Sequence, residues 1–249
     1  MKSITFFNNK GGVGKTTSVI NIAYILGERM NKRVLVIDCD GQGNSSRFFA
    51  NEELDCGIDE TLLSGASPDL CLSKSRYSNI DVLVSSERLN NILGSFEQFP
   101  PERQLTNARQ LINSWKGRYH YILLDLPPAM NKITQTLMAV SDSVIVPIEL
   151  GTFAIQGIAN VTETINEIDA SFGGCFVSKF DKNNPADHLL FELLKKTLGN
   201  KFFSATIPFS RVIKNSINYK LTAFEYMEWT DAVLEYAKLT DEIIEKAGM

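Results

Sequence analysis

The stretch Asn8-Asn9-Lys10-Gly11-Gly12-Val13-Gly14-Lys15-Thr16-Thr17 decides the fold. It follows the apolar run Ile4 to Phe7, which reads as a strand. It precedes a helical pattern in which Val19, Ile22, Ala23, Leu26 and Met30 are apolar. Strand, glycine-rich turn, helix is the setting of a phosphate-binding loop. Glycines let backbone N–H groups turn inward around phosphate oxygens. The new helix adds unpaired N–H groups and a partial positive charge at its start. Gly11, Gly12, Val13, Gly14, Lys15, Thr16 and Thr17 are therefore the expected nucleotide-binding residues. Lys15 is placed to reach β- and γ-phosphates, and the Thr16 hydroxyl to hold Mg²⁺.

Two later strands end in acids. Arg33 to Asp38 is an apolar run closing on a carboxylate, as in a strand buried on both faces of a parallel sheet. Asp40 follows two residues on. Ligands of open α/β sheets bind beyond the carboxyl ends of strands, so Asp38 and Asp40 are expected to face the phosphates. Two acids there repel each other unless a cation is present, and Mg²⁺ supplies one. Tyr119 to Asp125 is the second such run, and Pro127-Pro128 then forces the chain out of the sheet. In phosphate-loop enzymes such an aspartate completes the Mg²⁺ shell, so Thr16, Asp38 and Asp125 form the expected metal site.

The remaining chain repeats strand and helix without a linker or low-complexity tract, so one domain is expected over residues 1–249. Its class is α/β: a phosphate-loop NTPase with a mostly parallel central sheet and helices on both faces. Further strands are expected at Ile80–Val84, Ser143–Pro147, Cys175–Asp181 and Phe202–Pro208. Residues 51–76 read as loops around one short helix near Asp59–Leu63. Longer helices are expected over Glu102–Trp115, Asn131–Val140, a segment ending near Ile168, Ala186–Leu198 and Thr230–Ala247.

Composition bounds the function classes. Net charge is −4, which argues against a chain coated for nucleic acid but leaves room for a local basic face. Four cysteines form no C-x-x-C pair, and two histidines complete no zinc spacing, so reduced structural cysteines are expected. No apolar run approaches the roughly 20 residues of a membrane span, and no signal-peptide layout is present, so a cytoplasmic location is expected.

The loop departs from G-x-x-x-x-G-K-[ST]: Asn9 stands where that pattern has glycine, and a second lysine, Lys10, precedes Gly11-Gly12. K-G-G-x-G-K-[ST]-T resembles the deviant Walker A motif of the ParA/MinD ATPases. Residues 38–44 are similar to that family's D-x-D-P-Q-G-N switch, with Gly41 in the proline place. Residues 125–129 are similar to its D-x-P-P-S, with Ala129 for serine. Residues 147–157 resemble its P-x-x-x-E-x-F/Y-A-L-x-G segment, which begins a dimer-facing helix; Glu149 lies earlier than the pattern's glutamate and receives no role.

The resemblance implies an ATP- and Mg²⁺-dependent ATPase that closes as a homodimer around nucleotide. Lys10 would cross to the partner's nucleotide, with Lys15 on its own phosphates and Asp40 orienting the attacking water. The same comparison puts Lys179, Asp181, Pro208 and Phe209 near the adenine ring. It implies binding of nonspecific DNA, for which Arg211, Lys214, Lys195 and Lys196 are the candidates, with Lys179 and Lys182 as further cations. Stimulation by a ParB-like or other cargo-bound partner would follow, with association to the nucleoid. The phosphate loop begins within ten residues of the first, so no N-terminal helix-turn-helix is expected. Two alternatives stay open: a membrane-associated regulator of MinD type and a metabolic phosphate-loop enzyme. Against the former, Asp231, Glu235, Asp241, Glu242 and Glu245 on the last helix would be repelled by an anionic leaflet.

Overall fold

Ser3 to Phe6 is buried without a break, and this places the first strand inside a sheet rather than at its edge. A computed structural model describes residues 1–52 and 54–246 of the chain. Eight strands form one sheet: β1 (Lys2–Phe6), β2 (Val34–Asp38), β3 (Leu72–Lys74), β4 (Ile80–Leu83), β5 (Tyr121–Asp125), β6 (Ser143–Glu149), β7 (Phe172–Phe180) and β8 (Phe202–Pro208). Their order is β3-β4-β2-β5-β1-β6-β7-β8. Every pairing is parallel except that of β3 with β4. The order reverses around β1, so the loop after β1 opens at the sheet's switch point, where such sheets bind ligands.

The helices are α1 (Lys15–Tyr24), α2 (Asn44–Phe49), α3 (Ile58–Ser64), α4 (Leu93–Glu97), α5 (Pro101–Asn113), α6 (Lys132–Val140), α7 (Ala154–Glu167), α8 (Pro185–Leu198), α9 (Arg211–Asn218), α10 (Ala223–Tyr226) and α11 (Asp231–Lys246). One group, α1, α2, α10 and α11, packs together on one side; α3 to α7 pack together on the other. Between them lies the core, in which Phe6, Phe7, Phe49, Phe96, Trp115, Phe176 and Phe203 are fully buried. The continuous apolar strands are thereby explained: two helical layers leave no solvent face.

Three differences from the sequence reading are informative. Residues 72–74, expected as loop, form the antiparallel edge strand β3, too short to show alternation. Strand β6 runs past Pro147 to Glu149, because Pro147 pairs with β7 beyond the end of β1 and its missing N–H costs no ladder bond to β1. The last helix is described from Asp231 to Lys246; its expected end, Ala247, lies outside the described residues. No helix among the described residues is long and apolar enough to cross a membrane, and all four cysteines are free.

The acids of α11 have a structural task. Strand β8 is an edge strand, and its outward N–H and C=O groups have no neighbouring strand. Glu235 accepts from Thr206 N (2.7 Å) and Glu242 from Ser204 N (2.7 Å). Lys238 donates to the Ser204 carbonyl (3.1 Å) and Lys246 to that of Phe202 (2.7 Å). The spacing 235, 238, 242, 246 is one helical stripe, so α11 stands in for a missing strand. Replacing Glu235 and Glu242 together by alanine is expected to remove about 2 kcal/mol of stability, about 1 per bond. That lowers the melting temperature by about 4–8 °C for a domain of this size. The glutamine pair keeps an acceptor, so its loss in thermal unfolding should be smaller.

Candidate active site

The loop between β1 and α1 is tied down at both ends. Asn8 Nδ2 donates to the Pro147 carbonyl (2.8 Å) while its Oδ1 accepts from Lys10 N (2.9 Å). The Ser178 hydroxyl of β7 lies 2.7 Å from the Val13 carbonyl. Gly14 starts α1 in the left-handed region (φ 88°), a conformation a side chain would strain. Lys15 is buried and folds back across the loop, donating to the carbonyls of Asn8 (2.9 Å) and Lys10 (3.3 Å). Burial pushes its pKa down, and the carboxylates of Asp125 and Asp40 oppose that shift. A cation held over a glycine-rich nest of N–H groups is an anion site awaiting phosphate oxygens.

Asp38 and Asp125 are register partners on adjacent parallel strands, with backbones about 4.8 Å apart. Both are fully buried. Asp38 accepts from Ser46 N (2.7 Å), Ser46 Oγ (2.8 Å) and Asp40 N (3.1 Å). Asp125 accepts from Ser45 Oγ (2.7 Å) through one oxygen, and its other oxygen has no partner. Burial raises the pKa of both; repulsion from Asp38 adds to the rise at Asp125, while the Ser45 and Thr16 hydroxyls oppose it. A buried, unpartnered carboxylate oxygen beside a second carboxylate and a threonine hydroxyl fits a hard divalent cation with oxygen ligands. Among the described residues no group of three His, Cys, Asp or Glu side chains is arranged to hold a metal ion by itself. That suits Mg²⁺, which takes one or two carboxylates and completes its shell with water and phosphate.

Asp40 begins the turn into α2. It is half-buried, its Oδ1 accepts from Gln42 N (2.9 Å) and its carbonyl from Gly43 N (2.8 Å). Gly41 is buried against the Asn90 side chain, and a Cβ at this position would collide with that amide. The turn therefore has glycine where a proline ring would require Asn90 to move.

Lys10 is placed quite differently from Lys15. Its side chain is 57% exposed, and its ammonium lies 3.4 Å from Glu149 Oε2, at the end of β6. The same oxygen is 3.1 Å from Lys179 Nζ. Burial pushes the Glu149 carboxyl up, but Lys179 and then Lys10 outweigh it and hold its pKa below the ordinary value. Beside Lys10 and Glu149 opens a 260 Å³ cavity bordered by Gly151, Phe153 and Gly157. Phe153 is 80% exposed at the start of α7.

The four expected adenine neighbours divide. Asp181, Pro208 and Phe209 line a 530 Å³ cleft with Thr230, Asp231 and Leu234, at the carboxyl ends of β7 and β8. Lys179 instead turns toward Gly12 and Glu149, from a left-handed backbone (φ 56°). The basic candidates also divide. Arg211, Lys214, Lys195 and Lys196 are exposed and form no ion pair among the described residues. Lys182 is paired with Asp231 (2.8 Å) and Lys179 with Glu149. Lys195 and Lys196 close α8, before β8 begins, whereas Arg211 and Lys214 follow its end. The seven residues of β8 put roughly 20 Å between the two pairs.

Residues unmarked in the sequence reading also build the site. Asn8, Ser45, Ser46 and Ser178 position the loop and the acids, and Glu149 holds two lysines. Ser45 and Ser46 lie in the first turn of α2, just after Gly43, so their nearness to the switch was the available signal.

The fold recurs in known proteins. The family AAA_31, described as an AAA domain, matches residues 1–174. The chromosome partitioning protein ParA of Caulobacter vibrioides is 27% identical over 99% of this chain and 95% of its own length. A putative plasmid partition protein of Borrelia burgdorferi, solved bound to AMPPNP, superposes with a TM-score of 0.84 at 24% identity, covering 98% of this chain and 99% of that one. The septum site-determining protein MinD of Pyrococcus horikoshii, solved with Mg-ADP, gives a TM-score of 0.80 at 20% identity, covering 99% and 97%. With its lysine-preceded glycine loop and paired strand-end acids, the chain belongs to the ParA/MinD family of ATPases.

Proposed function

We propose that this chain is a partition or positioning ATPase whose active site is completed by a second copy of itself. One observation carries the reading. The loop has two lysines, and only Lys15 is buried and folded back across it; the Lys10 side chain is 57% exposed and paired with Glu149 instead. A second cation there is of use to a triphosphate arriving from outside.

The roles follow from the placement. N–H groups of Gly11 to Thr17 cradle the ATP phosphates, and Lys15 exchanges its two carbonyls for β- and γ-oxygens. Thr16, Asp38 and Asp125 would hold Mg²⁺, which when bound supplies charge neutralisation on the phosphates. Asp40 orients the attacking water. The base lies toward the cleft of Asp181, Pro208 and Phe209, at the same carboxyl end of the sheet as the loop. Two subunits meet face to face through the surface around Lys10 and Phe153, and each Lys10 reaches the other's phosphates. ATP binding thereby selects the dimer, and hydrolysis releases it.

In this reading the ATP-bound dimer holds nonspecific DNA through Arg211, Lys214, Lys195 and Lys196, which makes it nucleoid-associated in the cytoplasm. A separation of roughly 20 Å argues for contacts to phosphates several nucleotides apart along a duplex rather than one compact patch. A ParB-like or cargo-bound partner stimulates turnover. Glu235, Lys238, Glu242 and Lys246 tie α11 to the backbone of β8, so this face of the helix is committed to the sheet and is not available as a membrane anchor.

Retention on nonspecific DNA with ATP, ADP or no nucleotide tests the cycle. Retention should require ATP and, for four phosphate contacts, fall about 100-fold between 50 and 200 mM salt. Retention that ignores the nucleotide, or ATP-dependent capture by anionic liposomes instead, would overturn the DNA reading.

A further inference from the structure

Glu149 sits where one carboxylate oxygen meets two ammonium groups, Lys10 at 3.4 Å and Lys179 at 3.1 Å. Three charged groups sum to +1, so Glu149 stays paired whichever single lysine leaves. The lysines are not equivalent. Lys10 is 57% exposed, on the loop. Lys179 is 39% exposed and leaves the end of β7 from a left-handed backbone, next to Gly12. Glu149 itself is 29% exposed and fixed at the last residue of β6.

We infer that Glu149 is a positioning residue that holds Lys10 in its own subunit until pairing, and that Lys179 lets it leave. The inference rests on the proposed passage of Lys10 to the partner's nucleotide. In the unpaired subunit the Glu149 carboxylate is the anion Lys10 has at hand. On pairing, a triphosphate of higher charge competes for the same ammonium. A half-exposed bridge loses that competition readily, because such pairs shift populations only about two- to fivefold. Lys179 remains behind on Glu149, so no carboxylate is stranded when Lys10 departs. The device sets a threshold for pairing without blocking it.

Population arithmetic gives the size. If holding reduces the competent fraction about threefold in each subunit, a pair that must release both is weakened about tenfold. Glu149→Gln is expected to tighten the dimer formed with saturating non-hydrolysable ATP analogue by about tenfold, read by sedimentation across a concentration series. Lys179→Met should act oppositely, since Lys10 becomes the sole partner of Glu149 and leaves it less readily. Opposite signs are the signature; a structural role would weaken pairing in both variants. A second readout bears on the hold itself. In the nucleotide-free monomer, acylation of Lys10, followed by peptide mass, should be faster in Glu149→Gln than in the parent. Unchanged acylation would overturn the hold, whatever Lys10 does in the dimer. Faster acylation with unchanged or weaker pairing would overturn its control of pairing. The passage of Lys10 to the partner's nucleotide is tested separately by mixed dimers, so the two ideas fail distinguishably.

Discussion

Lys10→Ala should bind ATP as the parent does and lose stimulated turnover by about 10²- to 10³-fold. The estimate is the effect of deleting one preorganised charge from a site where negative charge develops; a finger arginine contributes 10³–10⁵ in related chemistry. Ground-state binding is spared because the loop's own phosphate contacts come from backbone N–H groups and Lys15, which is held by Asn8 and Lys10 carbonyls rather than by the Lys10 side chain. Folding is spared because the Lys10 side chain is largely exposed, where substitutions shift stability by about 0.5 kcal/mol or less. Phosphate release and ATP titration measured on the same preparation give both quantities. Turnover within a few-fold of the parent would return the protein to the class of single-subunit nucleotide enzymes.

Asp40→Ala should give the second large effect: ATP and Mg²⁺ retained, pairing retained, hydrolysis down about 10²-fold, the usual contribution of a positioned base or water-orienting group. Asp40 is separable from the metal acids by its surroundings. Asp38 and Asp125 are buried and paired across β2 and β5, while Asp40 lies half-buried at the start of the turn to α2. Asp40→Asn keeps the acceptor for Gln42 N and so keeps the turn, which isolates the loss of charge. The two variants together make a sharper test. In a mixed dimer, the subunit carrying Lys10→Ala still has Asp40, and its partner still has Lys10. One of two sites is then complete. Random mixing makes about half the dimers mixed, so about a quarter of parental turnover should return. If Lys10 served its own subunit, mixing would restore nothing.

Much of this site was legible because its parts are local. A glycine loop between an apolar run and a helical pattern needs about ten residues of sequence, and each acid announces itself by closing a strand. The pairing of Asp38 with Asp125 followed once both strands were parallel neighbours. What was not legible depends on distance along the chain. Glu149 and Lys10 are brought together only by β6 lying beside β1, and Lys179 joins them through a left-handed backbone that no local pattern marks. Lys179 lies apart from the other expected adenine neighbours: its left-handed backbone goes with a side chain beside Gly12 and Glu149. Three-residue β3 carried too few positions to show a period. Acids along α11 spoke in the sequence only against an anionic leaflet, yet two of them complete β8, because hydrogen-bonding need at a sheet margin is invisible in the helix that meets it.

That margin bears on how copies of the chain can associate. With the Ser204 and Thr206 amides and the Phe202 and Ser204 carbonyls already engaged by side chains, the β8 flank is a poor template for main-chain pairing with a neighbour. Runaway fibre-like growth from this side is chemically disfavoured, which is compatible with the proposed pairing on the nucleotide side, where two molecules would meet once and stop.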